Sequence, residues 1–359
     1  MAALIVAALL VLAHSGARAA VFAGLRPTPV LVFGAAFLLW ALAAVAWSPA
    51  HRVTDWLKAV PVILAAVVVG LYLARAPIRS LVRPVVMAVG ALLLLLTVER
   101  LTGGFVIGLV REGDSRDRLF DILSPGLALL SCLTFPVMRM LEDFTGRAWV
   151  AWGFVALCLA LGLSYHMDAA PVAIMCGCIS YGLVRLRGKP AFVLVIAGIA
   201  AVALSWGPAA ALAWRHGDQD WLTGHINLNW GYRVSIWNRV YELIFESPWI
   251  GHGFDSARLL AQGAGITFLH PHNGLLQVGL ELGLVGVVLL LGLAATAAWA
   301  YLKTERAPVA LATTAATVTA VAVFWLISFG IWQGWWLSAI GLAFCAATLA
   351  SQLDAKSVR

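Results

Sequence analysis

Leu269-His270-Pro271-His272-Asn273-Gly274-Leu275-Leu276-Gln277-Val278-Gly279-Leu280-Glu281-Leu282-Gly283 opens an apolar run that continues without a further charge to Tyr301. A helix crosses the hydrocarbon layer of a membrane with about 20 mostly apolar residues, and this run exceeds that length. Its mouth is polar, however, and polar groups in a spanning helix are costly unless they find partners. On a helix Asn273, Gln277 and Glu281 follow one another at i, i+4, so they share a stripe that must face the protein interior or a wet cavity. Pro271 suits a first helical turn.

The rest of the chain repeats the apolar pattern. Of 359 residues, 62% are hydrophobic and 11% charged, a composition outside the range of soluble domains. The chain therefore reads as an all-α polytopic membrane protein with about 11–12 transmembrane helices, because lipid leaves the backbone no other partner. The spans fall at 2–22, 29–47, 57–74, 81–97, 119–138, 148–164, 169–184, 191–206, 273–301, 308–329 and 333–350. His14 and Arg18 interrupt the first. Ala17-Arg18-Ala19 resembles a signal-peptidase site, but no basic region precedes the apolar run, so a retained, irregular first helix is expected.

Three regions follow: N-terminal transmembrane helices (1–206), one large loop (207–271), and C-terminal transmembrane helices with a short tail (272–359). Within the loop, Val234, Trp237, Val240, Tyr241 and Ile244 are spaced for one apolar face of a helix over Arg233–Phe245, expected to lie against the membrane surface. Ser247-Pro248 stops that helix, and Gly251-His252-Gly253 makes a tight turn. Basic residues of the short loops, among them Arg75, Arg79, Arg83, Arg139, Arg147, Arg185, Arg187, Lys189, Lys303 and Arg306, gather on one side. By the positive-inside rule that side is cytoplasmic, and the large loop is outside, periplasmic in a Gram-negative cell. The C-terminus then lies in the cytoplasm, and an odd number of spans puts the N-terminus outside. The net charge of +7 is scattered through loops, which excludes a nucleic-acid face. The five cysteines lie in apolar stretches, and Cys176-Gly177-Cys178 lacks redox or zinc spacing.

At the start of a helix, a histidine feels the positive end of the dipole, which lowers its pKa and keeps it able to accept a proton. The same helix end welcomes an anion such as phosphate. His272 thus suits a general base beside a bound pyrophosphate, and the alternative from spacing is a merely interfacial histidine. Gln277 and Glu281 suit either a substrate stripe or bonds to neighbouring helices. Two histidines two residues apart can ligate zinc in an extended loop, but no third acidic or histidine ligand stands at a telling distance. Arg100, Arg111, Arg116, Arg118, Arg215, Arg233, Arg239 and Arg258 fall on the side that the orientation rule disfavours for basic residues. Guanidinium groups pair with phosphate oxygens, although any one of these arginines also reads as a solvated loop charge. Trp214, Trp221, Trp230, Trp237, Trp249, Trp332, Trp335 and Trp336 read as interfacial anchors or as stacking surfaces for sugars.

Three pieces of sequence carry a family resemblance. His272-Asn273 with Leu276-Gln277 and Glu281-Leu282-Gly283 is one. Arg233-Val234-Ser235-Ile236-Trp237 followed by Glu246-Ser247-Pro248-Trp249-Ile250-Gly251-His252-Gly253-Phe254 is the second, with Asp255-Ser256-Ala257-Arg258 after it. Ala46-Trp47-Ser48 and Gln333-Gly334-Trp335-Trp336 are weaker matches. Together they resemble the O-antigen ligase and polymerase superfamily.

The resemblance implies a type C glycosyltransferase-like membrane fold. It implies transfer of a glycan from undecaprenyl pyrophosphate to an acceptor sugar, with inversion and without metal or other cofactor, at the periplasmic face of the bacterial inner membrane. The acceptor would be lipid A-core or a second lipid-linked glycan. His272 would be the catalytic histidine and Arg233 the pyrophosphate-binding arginine, with Arg258, Arg118, Asn273, Gln277, Glu281 and Trp237 around the substrates. One position departs from the family: where many members open a helix with Ser-Arg, this chain has Met167-Asp168, so Arg258 or Arg118 is expected to replace the missing arginine. A transporter for the same lipid-linked glycans would suit buried Gln277 and Glu281 too, but transporters tend to show internal repeats, and none is visible.

Overall fold

A computed structural model describes residues 1–25, 28–75, 79–109, 111, 116–165, 167–217, 228–260 and 269–353, with only the backbone described for 116–121 and 228–229. Among them the chain is helical, with no strand. The helices in order are α1 Ala2–Ala13, α2 Ser15–Phe22, α3 Pro29–Ala43, α4 Val53–Leu73, α5 Arg79–Thr102, α6 Arg116–Thr145, α7 Ala148–Ser164, α8 Ala169–Arg187, α9 Lys189–His216, α10 Leu228–Glu246, α11 Gly274–Leu302, α12 Pro308–Ile327 and α13 Gly334–Ser351. Single-turn helices occupy Phe105–Gly108 and Ala257–Leu260.

Among the described residues, 9 helices are long and apolar enough to cross a membrane. The chain is a multi-pass, all-α membrane protein, as its composition requires. The shorter α7 and the pair α1–α2 account for the remaining expected spans. That pair is bent by 100° at His14, the residue whose polarity interrupts the apolar run; its Nδ1 accepts the backbone N–H of Ala17 and so starts a second helix. α12 and α6 are buried over most of their length and form the centre of the bundle. α12 packs along α8, α13 against α4 and α6, and α3 along α11.

α9 runs past the expected end of its span, through Pro208 to His216. α10 then lies against α9 and α11. Its buried face is Ile236, Trp237, Val240 and Leu243, with Val234 and Ile244 at the margins. The apolar stripe anticipated from spacing is rotated by about one residue, because the helix has protein on two sides where a membrane surface offers one.

α11 is broken in a specific way. Gly283 sits at φ 64°, ψ −166°, a conformation that only glycine adopts readily. The break frees the carbonyls of Leu280 and Glu281 and the N–H groups of Leu284 and Val285. The turn Pro248–Gly253 takes up all four: His252 N–H donates to Leu280 O and Gly253 N–H to Glu281 O, both at 2.9 Å, while Leu284 N–H donates to Pro248 O at 2.8 Å and Val285 N–H to Trp249 O at 3.2 Å. Two intrahelical bonds are exchanged for four tertiary ones, so all four groups freed by the break keep a partner. The end of α3 clamps the same turn. Trp47 Nε1 donates to Gly251 O at 3.3 Å, Ser48 Oγ to Phe254 O at 2.6 Å, and Trp40 Nε1 reaches Leu282 O at 3.0 Å. Ala46-Trp47-Ser48, far away in sequence, is thereby part of the scaffold of the 248–283 region.

Candidate active site

Asn273 is the N-cap of α11: its side-chain oxygen accepts Leu276 N–H at 3.0 Å. This cap, together with Pro271, brings the chain into the helix by way of His272, which lies at φ 55°. The left-handed region is uncommon for a residue with a Cβ and costs on the order of 1–3 kcal/mol, so the surroundings must hold it. Trp237, buried in α10, donates its indole N–H to Pro271 O at 2.8 Å. On the other side the ring of His272 reaches the turn after α12, where its Nδ1 lies 2.7 Å from the Ser328 carbonyl oxygen.

That bond fixes the protonation pattern. A carbonyl oxygen only accepts, so Nδ1 carries the hydrogen and the lone pair sits on Nε2. Among the described residues Nε2 has no hydrogen-bond partner. The pKa of His272 lies below its ordinary value, first through burial and then through the charge of Arg233, with the Ser328 bond opposing both. The site therefore presents a neutral imidazole with a free basic nitrogen.

Arg233 occupies the first half of α10, half-buried, with its guanidinium over the Trp230 ring at 5.0 Å from the centroid. No carboxylate lies within ion-pair distance of it among the described residues. Burial pulls its pKa below the ordinary value while the charge of Asp168 acts the other way. Asp168, at the N-terminus of α8, accepts the Trp230 indole N–H at 3.0 Å. Arg258 donates to the buried carboxylate of Asp255 at 2.9 Å, and both Arg258 and Arg233 are close enough to depress the pKa of His270. A basic imidazole and two guanidinium groups thus share one locality.

Gln277 and Glu281 are fully interior, and their bonds stay inside the protein. Gln277 Nε2 donates to Glu281 Oε1 at 3.0 Å, Gln277 Oε1 accepts Ile331 N–H at 3.0 Å, and Glu281 Oε2 accepts Trp332 Nε1–H at 2.6 Å. The polar stripe therefore anchors the turn between α12 and α13, the same turn whose Ser328 carbonyl orients His272. Asn273 and Trp237 likewise hold backbone around His272, and Trp332 and Trp336 are buried packing residues. The side chain of Arg118 and the whole of Trp221 lie outside the described residues. Among the described residues no cluster of three His, Cys, Asp or Glu side chains stands in metal-ligating geometry.

Residues 151–291, which contain Arg233, Arg258 and His272, match the family described as O-antigen ligase. A Rickettsia bellii protein named "Putative polysaccharide ligase" is 28% identical over 263 residues, 68% of this chain and 61% of its own. Its Rickettsia conorii namesake is 32% identical over 122 residues, 30% of this chain and 28% of its own. The O-antigen ligase of Pseudomonas aeruginosa is 30% identical over 103 residues, 29% of this chain and 23% of its own. Through this region the chain is similar to O-antigen ligases and polysaccharide ligases. It spans less than two thirds of the length of each of these relatives.

Within the region that matches the O-antigen ligase family, the motif at 272–283 divides its labour between a histidine and the residues that hold it. Sequence alone gives no role to two neighbours of His272, His270 and the Ser328 carbonyl. For the first, a second histidine across a proline is a visible signal. The Ser328 carbonyl has none, because a main-chain acceptor leaves no mark on residue identity.

Proposed function

We propose that the chain transfers a glycan from an undecaprenyl pyrophosphate-linked donor to a sugar hydroxyl of lipid A-core, at the periplasmic face of the bacterial inner membrane. The observation that carries the reading is a neutral His272 and a half-buried guanidinium on Arg233 within electrostatic reach of it, with no partner for Nε2 and no ion pair for Arg233 among the described residues. A base and an anion binder side by side are what displacement of a pyrophosphate by a hydroxyl requires.

In this reaction the acceptor oxygen forms a bond to the anomeric carbon as its proton passes to His272 Nε2. The bond from that carbon to the pyrophosphate oxygen breaks, and the electron pair leaves with undecaprenyl pyrophosphate. Attack opposite the leaving group inverts the anomeric centre. Arg233 neutralises the developing charge, with Arg258 as the second guanidinium, so no metal is assigned a role. The names of the similar proteins favour a ligase over a polymerase.

The test is an in-vitro assay with purified protein, a defined lipid-pyrophosphate glycan and lipid A-core, comparing wild type with His272→Ala and Arg233→Ala. Transfer by wild type and loss of about a hundredfold or more in each variant is expected. Full activity in both variants overturns the reading. Product formed only from two lipid-linked glycans makes the chain a polymerase, and loss of activity with a strong chelator restores a metal to the mechanism.

A further inference from the structure

His270 is as buried as a site residue and is not used in the chemistry above. Its Nδ1 accepts the backbone N–H of His272 at 3.2 Å, and the two rings stand 4.3 Å apart, tilted by 57°. Gly330 packs against the His270 ring, since an added Cβ would lie 3.0 Å from the His270 Cγ. Gly330 is two residues beyond Ser328, so one turn bounds His270 by contact and orients His272 by its carbonyl.

We propose that His270 is a positioning residue for His272, its Nδ1 holding the left-handed backbone that directs the His272 imidazole to the Ser328 carbonyl. The inference rests on the glycosyl-transfer reading of the site. A residue with a Cβ does not stay at φ 55° unaided, and the hydrogen bond from its own N–H is the local restraint that the structure provides. For that bond His270 must keep an unprotonated Nδ1. Burial, His272 and the two arginines push its pKa down to about 3, which keeps Nδ1 an acceptor across the physiological range. The hydrogen of the neutral ring then sits on Nε2.

The two ring nitrogens can be tested separately, because an asparagine places a side-chain oxygen near the Nδ1 position and a glutamine places its amide near Nε2. In the transfer assay His270→Ala is expected to lower kcat by about tenfold to a hundredfold with donor KM within about twofold, the signature of a misplaced base. His270→Asn should recover most of kcat, and His270→Gln should not. Equal behaviour of the Asn and Gln variants, or a loss confined to KM, overturns the proposal. His272→Ala is run beside them. If it is inactive while the Asn and Gln variants behave alike, the positioning role falls and the glycosyl-transfer reading stands. If it transfers as wild type does, both fall. Asn and Gln are both smaller polar replacements, so thermal unfolding of the two variants separates lost positioning from lost folding.

Discussion

Gly251 and Gly283 meet backbone to backbone: a Cβ on Gly251 would lie 2.6 Å from Gly283 N, and one on Gly283 would lie 2.5 Å from Gly251 N. Both have positive φ, 70° and 64°. Gly283→Ala therefore meets a steric and a conformational barrier together, and is expected to destabilise the protein by about 2 kcal/mol or more. Gly90→Ala, inside α5 with nothing within 4 Å of the added carbon, is the neutral comparison. Thermal unfolding in detergent measures both. A Gly283→Ala protein as stable as the Gly90 variant would show that the exchanged backbone bonds at the break do not depend on this close approach.

Glu281 accepts two hydrogen bonds in a closed interior, from Gln277 and from the Trp332 indole. Glu281→Gln replaces one acceptor oxygen with an NH2 group, which faces a donor whichever way the amide is turned. Such a mismatch costs about 1–3 kcal/mol. Because the partner turn also carries Ser328, kcat should fall while donor KM changes little. Pairing the change with Trp332→Phe removes one of the two donors and should recover part of the stability. A donor KM that rises tenfold with normal unfolding would instead place Glu281 in contact with substrate.

The membrane architecture was legible because apolar runs of spanning length admit one backbone solution, and even the irregular first span announced itself through His14. The motifs around His272 and Arg233 draw attention to both residues, and the fold brings them within electrostatic reach of each other. Direction was harder to read. The i, i+4 spacing of Asn273, Gln277 and Glu281 shows that they share a face, but the partners Ile331 and Trp332 lie beyond a further helix, and spacing carries no information about contacts so distant in sequence. The glycines of Gly251-His252-Gly253 read as a turn, while their insertion into a broken helix depends on the meeting of two segments. Hydrogen bonds from main-chain carbonyls, such as that of Ser328, are invisible for the same reason.

The acid limb of kcat/KM reports the imidazole that must be neutral. His272 has its pKa below the ordinary histidine value, so protonation, and loss of transfer, should set in at a lower pH than for an exposed histidine. Arg233 contributes to that depression in the same direction as burial, which is the larger cause. Arg233→Ala should therefore move the limb upward, toward but not to the ordinary value, on top of its loss in rate. Single-turnover rates against pH for the two proteins make the comparison. A limb above the ordinary histidine value in wild type would contradict a His272 base held neutral by burial.

Asp168 faces two demands that separate by substitution. Its carboxylate accepts the Trp230 indole N–H, which supports the ring under Arg233, and its negative charge lies within electrostatic reach of the guanidinium that is assigned to the pyrophosphate. Asp168→Asn keeps an oxygen for the indole and removes the charge. With one fewer negative group opposing an anionic donor, KM for the donor should fall by about threefold to tenfold, on the order of 1 kcal/mol, with kcat nearly unchanged. Asp168→Ala loses the indole bond as well, so Trp230 and the stacked Arg233 lose their support and kcat should fall. Asp168→Arg, which writes in the residue that many members of the family have, should strengthen donor binding further only if Arg258 has not already taken that place. Testing it in wild type and in Arg258→Ala therefore shows which guanidinium holds the second phosphate: a gain in the double variant alone assigns the role to Arg258, and an equal gain in both backgrounds removes Arg258 from the site.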